Sequence, residues 1–222
     1  MVDEPTDSKR ERREAARRER IEAARRLSRA KRRRKLLIGG TALVLVTALV
    51  VVGVDRYRKR DEKRIAAVTA ARTAASCDGI KEQPDAGAAH IDDTSERKPY
   101  TSKPPTSGDH VGNVQLLPIP GFHTQNYLPE IYLHNLEHGQ TWVHYKPDLP
   151  QDQIDDLREF VEGHSGPGGA VNAMANPDID APVVVTAWRH MEPCQKVSIP
   201  VIENFVRERC NKTGEPLVQF CI

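Results

Sequence analysis

The sequence predicts an α+β fold: a single N-terminal transmembrane helix followed by a small exported domain, in which a mixed sheet is packed by two helices. Three observations predict it. Leu36 to Val54 is a nineteen-residue run without a charge, long enough to cross a bilayer. Beyond it, short β-branched and aromatic runs alternate with two segments whose apolar residues repeat at helical spacing. All four cysteines (Cys77, Cys194, Cys210, Cys221) fall after the apolar run, which sets that side of the chain apart chemically.

Residues 1–8 are polar and expected to be disordered. From Lys9 to Lys35 the chain carries fifteen Lys/Arg and neither Gly nor Pro, and its Ala, Arg and Glu content favours helix. Ile21, Leu27 and a few alanines are too little for a packed face. Such a basic helix suits nucleic acid or anionic lipid. Directly before an apolar run it reads as a topogenic signal on the inner leaflet, so anionic lipid is the expected partner and no nucleic acid is expected.

At 1.5 Å per residue, Leu36–Val54 reaches about 28 Å, close to the hydrocarbon thickness of a bilayer. The run exceeds the apolar core of a signal peptide, and no small-x-small cleavage site directly follows, so the anchor is read as uncleaved. Arg56, Arg58, Lys59, Arg60, Lys63 and Arg64 follow it, but the N-terminal side carries more than twice as many basic residues. The N-terminus is therefore placed in the cytoplasm and the chain from Asp55 onward outside, in a single-pass cell-membrane protein. Four stretches result: a basic cytoplasmic tail (1–35), the transmembrane helix (36–54), a helical stalk with a Gly/Pro/Asp-rich linker (55–99), and the exported domain (100–222).

Within that domain, Pro104 and Pro105 followed by Thr-Ser-Gly fix a turn that presents Asp109 and His110. Pro118 and Pro120 keep 116–122 extended. Ile131–His134 reads as a short strand and Gln140–Tyr145 as a better one. Asp148 is the expected cap of a helix running to Gly163, with Gln151 three residues on and Ile154, Leu157, Phe160 and Val161 as its apolar face. Ala181–His190 is the strongest strand and is expected to be central. Ser198 and Pro200 open a second helix that ends before Asn211.

Five of the eight histidines fall between Tyr100 and Tyr145, and His134, Glu137, His138 and His144 lie within eleven residues. Written as H-x-x-E-H, residues 134–138 match an inverted zinc-protease motif, in which two histidines one helical turn apart hold zinc and the Glu is general base. That motif needs a helix, whereas Gly139 follows at once and both flanks read as strand, so a zinc-dependent hydrolase ranks last and the chain leans away from being an enzyme. A second reading takes His110, His134 and His138 as ligands, completed by Glu137 or water, for Zn²⁺ or Cu²⁺. His144 is then a fourth ligand or a rim residue, and Met174 and Met191 read as core filler before they read as soft ligands. A third makes the same residues a buried hydrogen-bond network, with Asp109 or Glu137 fixing a tautomer, in an assembly or interaction module that has a membrane-protein partner.

Residues 104–110 (PPTSGDH), 134–145 (HNLEHGQTWVHY), a helix and 182–188 (PVVVTAW), in that order, resemble the bacterial family DUF3105, a domain of unknown function. The resemblance runs from about Tyr100 to Arg209. It implies a short cytoplasmic tail, one anchor and an exported domain, with His110, His134, Glu137, His138 and Gly139 as signature positions. It implies no activity. One departure is Arg189, where such proteins usually carry Gly after Ala-Trp, with His190 and Met191 following.

Nucleophilic catalysis has little footing. Ser107 sits near His110, but no G-x-S-x-G elbow occurs and Thr-Ser-Gly-Asp reads as a turn. There is no C-x-x-C pair. An even cysteine count on one side of the apolar run predicts two disulfides in an oxidising compartment, with three pairings open.

Overall fold

A computed structural model of the chain describes residues 6–92 and 98–222, with the side chains of 6–10, 36–45 and Val114 outside the description. The chain divides into two compact units, Met1–Glu62 and Lys63–Ile222. The first unit lies on the long helix α1 (Thr6–Ala75). Residues 1–5 of the terminus expected to be disordered fall outside the description, and 6–8 are helical. Helix through the basic tail, the apolar run and the stalk agrees with their lack of breakers, since Gly39, Gly40 and Gly53 alone interrupt good helix formers.

The membrane-spanning part of the expectation is not supported. Among the described residues no helix is long and apolar enough to cross a membrane. More than half of Leu36–Val54 falls on residues whose side chains lie outside the description. In the described remainder, Val46, Leu49, Val50, Val51, Val52 and Val54 are all exposed.

The second unit is a mixed α/β sandwich. Its strands are β1 (Lys81–Glu82), β2 (His90–Ile91), β3 (His110–Val111), β4 (Phe122–His123), β5 (Thr141–Tyr145), β6 (Val171–Ala175), β7 (Val183–Ala187) and β8 (His190–Cys194). Its own helices are α2 (Pro129–Glu137), α3 (Gln151–Glu162) and α4 (Ile199–Arg209). Six strands form one sheet in the order β1-β8-β7-β5-β6-β4, while β2 and β3 form a separate parallel pair. β5 and β6 are parallel and joined through α3, a βαβ crossover; β5–β7 and β7–β8 are antiparallel.

Strand alternation divides the side chains between two layers. Val143, Tyr145, Val171, Ala173, Val183, Val185 and Ala187 face α3 and α4, closing on Leu157, Val161, Val201, Ile202, Phe205 and Val206. Trp142 and Met174 point the other way, onto Tyr132, Leu133 and Leu136 of α2. The sheet thus has helices on both faces, one more layer than two packing helices provide.

That third layer is a correction. Ile131–His134 is helical, not a strand. Pro129 sits in the first turn, where its missing N–H costs nothing, and Glu130 favours the positive end of the dipole. Gly139, at φ +89°, ends the helix. These end signals and the burial of Tyr132, Leu133 and Leu136 outweigh the β preference of Ile-Tyr. A smaller correction concerns α3: its N-cap is Pro150, with no side-chain cap, so Asp148 does not serve. The expected strand 181–190 is shorter and turns at Trp188-Arg189 into β8, a hairpin in which Ala187 pairs with His190.

Both predicted disulfides form, as Cys77–Cys194 and Cys210–Cys221. The last turns of α1 belong to the second unit: Val68 and Ala75 are buried, and Arg72 makes a two-pronged ion pair with the fully buried Glu192 at 2.7 and 3.1 Å. Cys77 then ties this end of the helix to β8.

A candidate metal centre on the α2 face

The stretch 84–92, expected as linker, is zipped onto the proline turn. The Gly108 N–H donates to Gly87 O (2.8 Å), the His110 N–H to Ala89 O (3.0 Å), and β2 pairs with β3 so that His90 lies beside His110. Ser107 Oγ accepts the Ala86 N–H and faces Pro84 O, so this hydroxyl is spent on the turn. Asp109 Oδ2 accepts the Lys98 N–H, again serving the turn and not a histidine. The β2–β3 pair meets α2, and there His90, His110, His134, Glu137 and His138 gather.

His134 and His138, four apart, project from one side of α2's end, with Glu137 between them. The tautomer of three rings follows from their partners, because a carbonyl oxygen only accepts. His110 Nδ1–H donates to Gly108 O at 2.8 Å, His134 Nδ1–H to Val111 O at 2.6 Å, and His138 Nδ1–H to Glu215 O at 2.9 Å. Each ring therefore holds its Nε2 inward. The Nε2 atoms of His134 and His138 are 2.8 Å apart, and His110 Nε2 is 3.1 Å from Glu137 Oε2. His90 Nε2 approaches the same oxygen at 3.3 Å, and its ring stacks on His134.

Two overlapping groups have ligand atoms close enough to share a cation: His90, His110 and His134, and His134, Glu137 and His138. His110 is fully buried, His134 and Glu137 nearly so, while His90 is exposed. The site is therefore closed on the protein side and reached past His90. Burial, with the neighbouring His138, His110 and His90 adding to it, holds the His134 pKa below the usual imidazole value, against the pull of its bond to Val111. A neutral imidazole is the metal-binding form.

Each expected ligand (His110, His134, Glu137, His138) is in this cluster. His144 is not: it is wholly buried on β5, and its Nε2–H donates to Thr186 Oγ1 (3.2 Å) while its Nδ1 accepts from Asn176 Nδ2 (3.3 Å). Met174 packs on Trp142 and Met191 on Val184, as core, and neither is in the cluster's ligand groups. His90 is the residue sequence reading missed. Its one signal is that it is a histidine in an Ala/Gly/Asp-rich stretch. The helix under His134 and His138 also removes the ground on which the H-x-x-E-H motif was set aside.

Two glycines shape the cluster. A Cβ on Gly139 would lie 2.8 Å from the Asn211 Cα, and the residue also has positive φ, so the signature glycine is required twice over. A Cβ on Gly112 would lie 2.9 Å from the His90 ring, so this glycine makes room for that histidine.

A family model described as a protein of unknown function, DUF3105, matches residues 90–219. The match begins at His90 and runs past Glu215, so it takes in the whole cluster and the carbonyl that orients His138. No curated protein and no solved structure matches the chain.

Proposed function

The chain belongs to the DUF3105 family, and from that premise we propose that its domain is a metal-binding module carried on the outer side of the cell membrane. His110, His134, Glu137 and His138 take Zn²⁺ or Cu²⁺, and His90 closes the exposed side. One observation carries the reading: three rings each give Nδ1–H to a backbone carbonyl, which leaves Nε2 free, and His134 lies within ligand reach both of His90 and His110 and of Glu137 and His138. This is how proteins hold metal-ligating imidazoles, the outer bond fixing tautomer and direction. Imidazole with carboxylate suits borderline divalent ions, and the cluster has no thiolate or thioether to favour Cu(I).

The topology is part of the proposal. The exposure of Val46, Leu49, Val50, Val51, Val52 and Val54 supports a single-pass anchor at Leu36–Val54. The fifteen Lys/Arg before it support a cytoplasmic N-terminus that rests on anionic lipid, and two disulfides support an extracytoplasmic second unit.

A second reading has one observation in its favour: Glu137 Oε2 already lies 3.3 Å from His90 Nε2 and 3.1 Å from His110 Nε2, so the cluster also works as a structural network in an assembly module with a membrane-protein partner. A zinc-dependent hydrolase has least support, because the same oxygen would have to be free as general base. To test the metal reading, the full chain is purified in detergent without a His tag, loaded with Zn²⁺ or Cu²⁺, and assayed by elemental mass spectrometry. About one metal per chain is expected, lost in a His134→Ala/His138→Ala variant. Equal retention by the variant rejects metal binding at this site.

A further inference from the structure

The C-terminal segment does more than end the domain. Cys210, buried at the end of α4, is bonded to Cys221, which is exposed, and the intervening loop is laid along α2. Asn211 N–H donates to Gly139 O (3.1 Å) and Leu217 N–H to His138 O (3.0 Å), while Gln219 and Phe220 N–H both reach Gly168 O. Inside the loop, Asn211 Nδ2 donates to Val218 O and Asn211 Oδ1 accepts the Val218 N–H. From this strap comes Glu215 O, the acceptor of the His138 Nδ1–H. The orientation of one ligand is thus set by a segment whose far end is tied covalently by one sulfur–sulfur bond, beside hydrogen bonds to Gly168 and Asn211 and the packing of Val218 and Ile222 on the core.

We propose that the Cys210–Cys221 disulfide is a redox latch on the metal centre: oxidised, it holds His138 in the ligating direction; reduced, it frees the strap and weakens metal binding. The inference rests on the metal reading above and adds its regulation. The reductant is a dithiol of the kind that exchanges with exposed protein disulfides. Its thiolate attacks the exposed Cys221 Sγ, the Cys210–Cys221 bond breaks, and Cys210 leaves as thiolate. The donor's second thiol then displaces Cys221 from the mixed disulfide. Two electrons and two protons pass to the protein, which gains two thiols while the donor becomes a disulfide. Cys77–Cys194 is the built-in control, since Cys194 is buried and Cys77 half-buried. Access selects between the two bonds.

The test uses the full chain in detergent and Zn²⁺ alone, titrated against a chelator of known affinity. Cys210→Ser/Cys221→Ser is expected to bind Zn²⁺ roughly tenfold or more weakly than wild type, the scale on which outer-shell partners act. In a His138→Ala background the same serine pair is expected to add nothing. An unchanged affinity in the folded serine pair, or an equal further loss without His138, overturns the latch and leaves the metal reading intact. A wild-type chain that binds no Zn²⁺ is titrated with Cu²⁺ in the same way, and one that binds neither overturns both. Should the serine pair fail to fold, wild-type protein partly reduced by a dithiol and then freed of it takes its place. Thiol mapping of that sample is expected to find Cys210 and Cys221 open before Cys77 and Cys194, and the reverse order also overturns the latch.

Discussion

His134 Nε2 and His138 Nε2 face each other at 2.8 Å while both Nδ1 atoms are bound to carbonyl oxygens. Two lone pairs at that distance repel unless a proton or a cation lies between them. With metal–nitrogen bonds of about 2.0–2.1 Å, both fit on one ion at an angle near a right angle. His138→Ala should therefore cost tenfold or more in Zn²⁺ affinity and leave the metal-free domain as stable as before, or slightly more so. Chelator-competition titration and thermal melting of the metal-free chain check the two halves. A metal-free variant that loses as much stability as the loaded one would favour the structural network.

His90 is tested through its neighbour. Gly112→Ala puts a methyl 2.9 Å from the His90 ring and 3.0 Å from its Cβ; the exposed ring can swing away but the Cβ moves only with the β2 backbone, at a stability cost of about 1–3 kcal/mol. Zn²⁺ affinity should fall in Gly112→Ala by about as much as in His90→Ala. If His90→Ala binds as wild type does, His90 is a bystander at the rim.

The pair Arg72–Glu192 joins the end of α1 to the sheet. Glu192 is fully buried, and its hydrogen bond to Arg72 raises the guanidinium pKa further. Arg72→Met strands a buried carboxylate, which costs about 3–5 kcal/mol. Arg72→Met/Glu192→Met should recover most of that loss, as read by the urea midpoint of the second unit. A single variant within about 1 kcal/mol of wild type would mean that the pair is solvated.

His144 supplies a pH dependence. Burial lowers its pKa to about 3 from the ordinary 6.5. Its stabilising contribution is complete above pH 6.5, where folded and unfolded chains both leave it neutral. Below that, the unfolded chain takes a proton the folded one refuses, so stability falls by up to about 1.4 kcal/mol per pH unit toward pH 3. His144→Gln keeps a donor and an acceptor and does not titrate. It should flatten the acid limb of a stability–pH curve by about one proton, with His134 still contributing because its pKa is also lowered. A slope identical to wild type would place His144 in contact with water.

These residues differ in how openly the sequence shows them. β5, β7, α3 and α4 are legible because each carries its own period and is held by an apolar face of ordinary composition. α2 is not, because its nine residues are too few to show a period and Ile-Tyr carries β preference; Pro129 and Gly139 were the better guides. Four members of the cluster, His110, His134, Glu137 and His138, were legible from histidine density and the H-x-x-E-H spacing. His90 was not, since β2 is two residues long and exists only through its pairing with β3. The Cys77–Cys194 pairing spans 117 residues, and the carbonyls that orient the rings come from remote turns and the C-terminal strap, so neither leaves a local trace.

Arg189 shows the same limit from the other side. In sequence Arg189 reads as a plain departure from the glycine that the resemblance implies, but it has φ +58° in the two-residue turn between β7 and β8. A left-handed conformation costs a non-glycine residue about 1–2 kcal/mol. Against this, Arg189 pairs with Glu82 at 2.9 Å and Asp85 at 3.6 Å, holding the edge strand β1 and the residues that lead to His90. Exposed pairs of this kind return about 0–1 kcal/mol each. Arg189→Gly should therefore change global stability by less than about 1 kcal/mol, while hydrogen exchange at Glu82 and Gln83 speeds up as β1 loosens. Arg189→Ala keeps the strain and loses the pairs, so it should be the less stable of the two by about 1 kcal/mol, measured by denaturant midpoint. Equal stability of the two variants would show that the turn relaxes out of the left-handed region without its glycine.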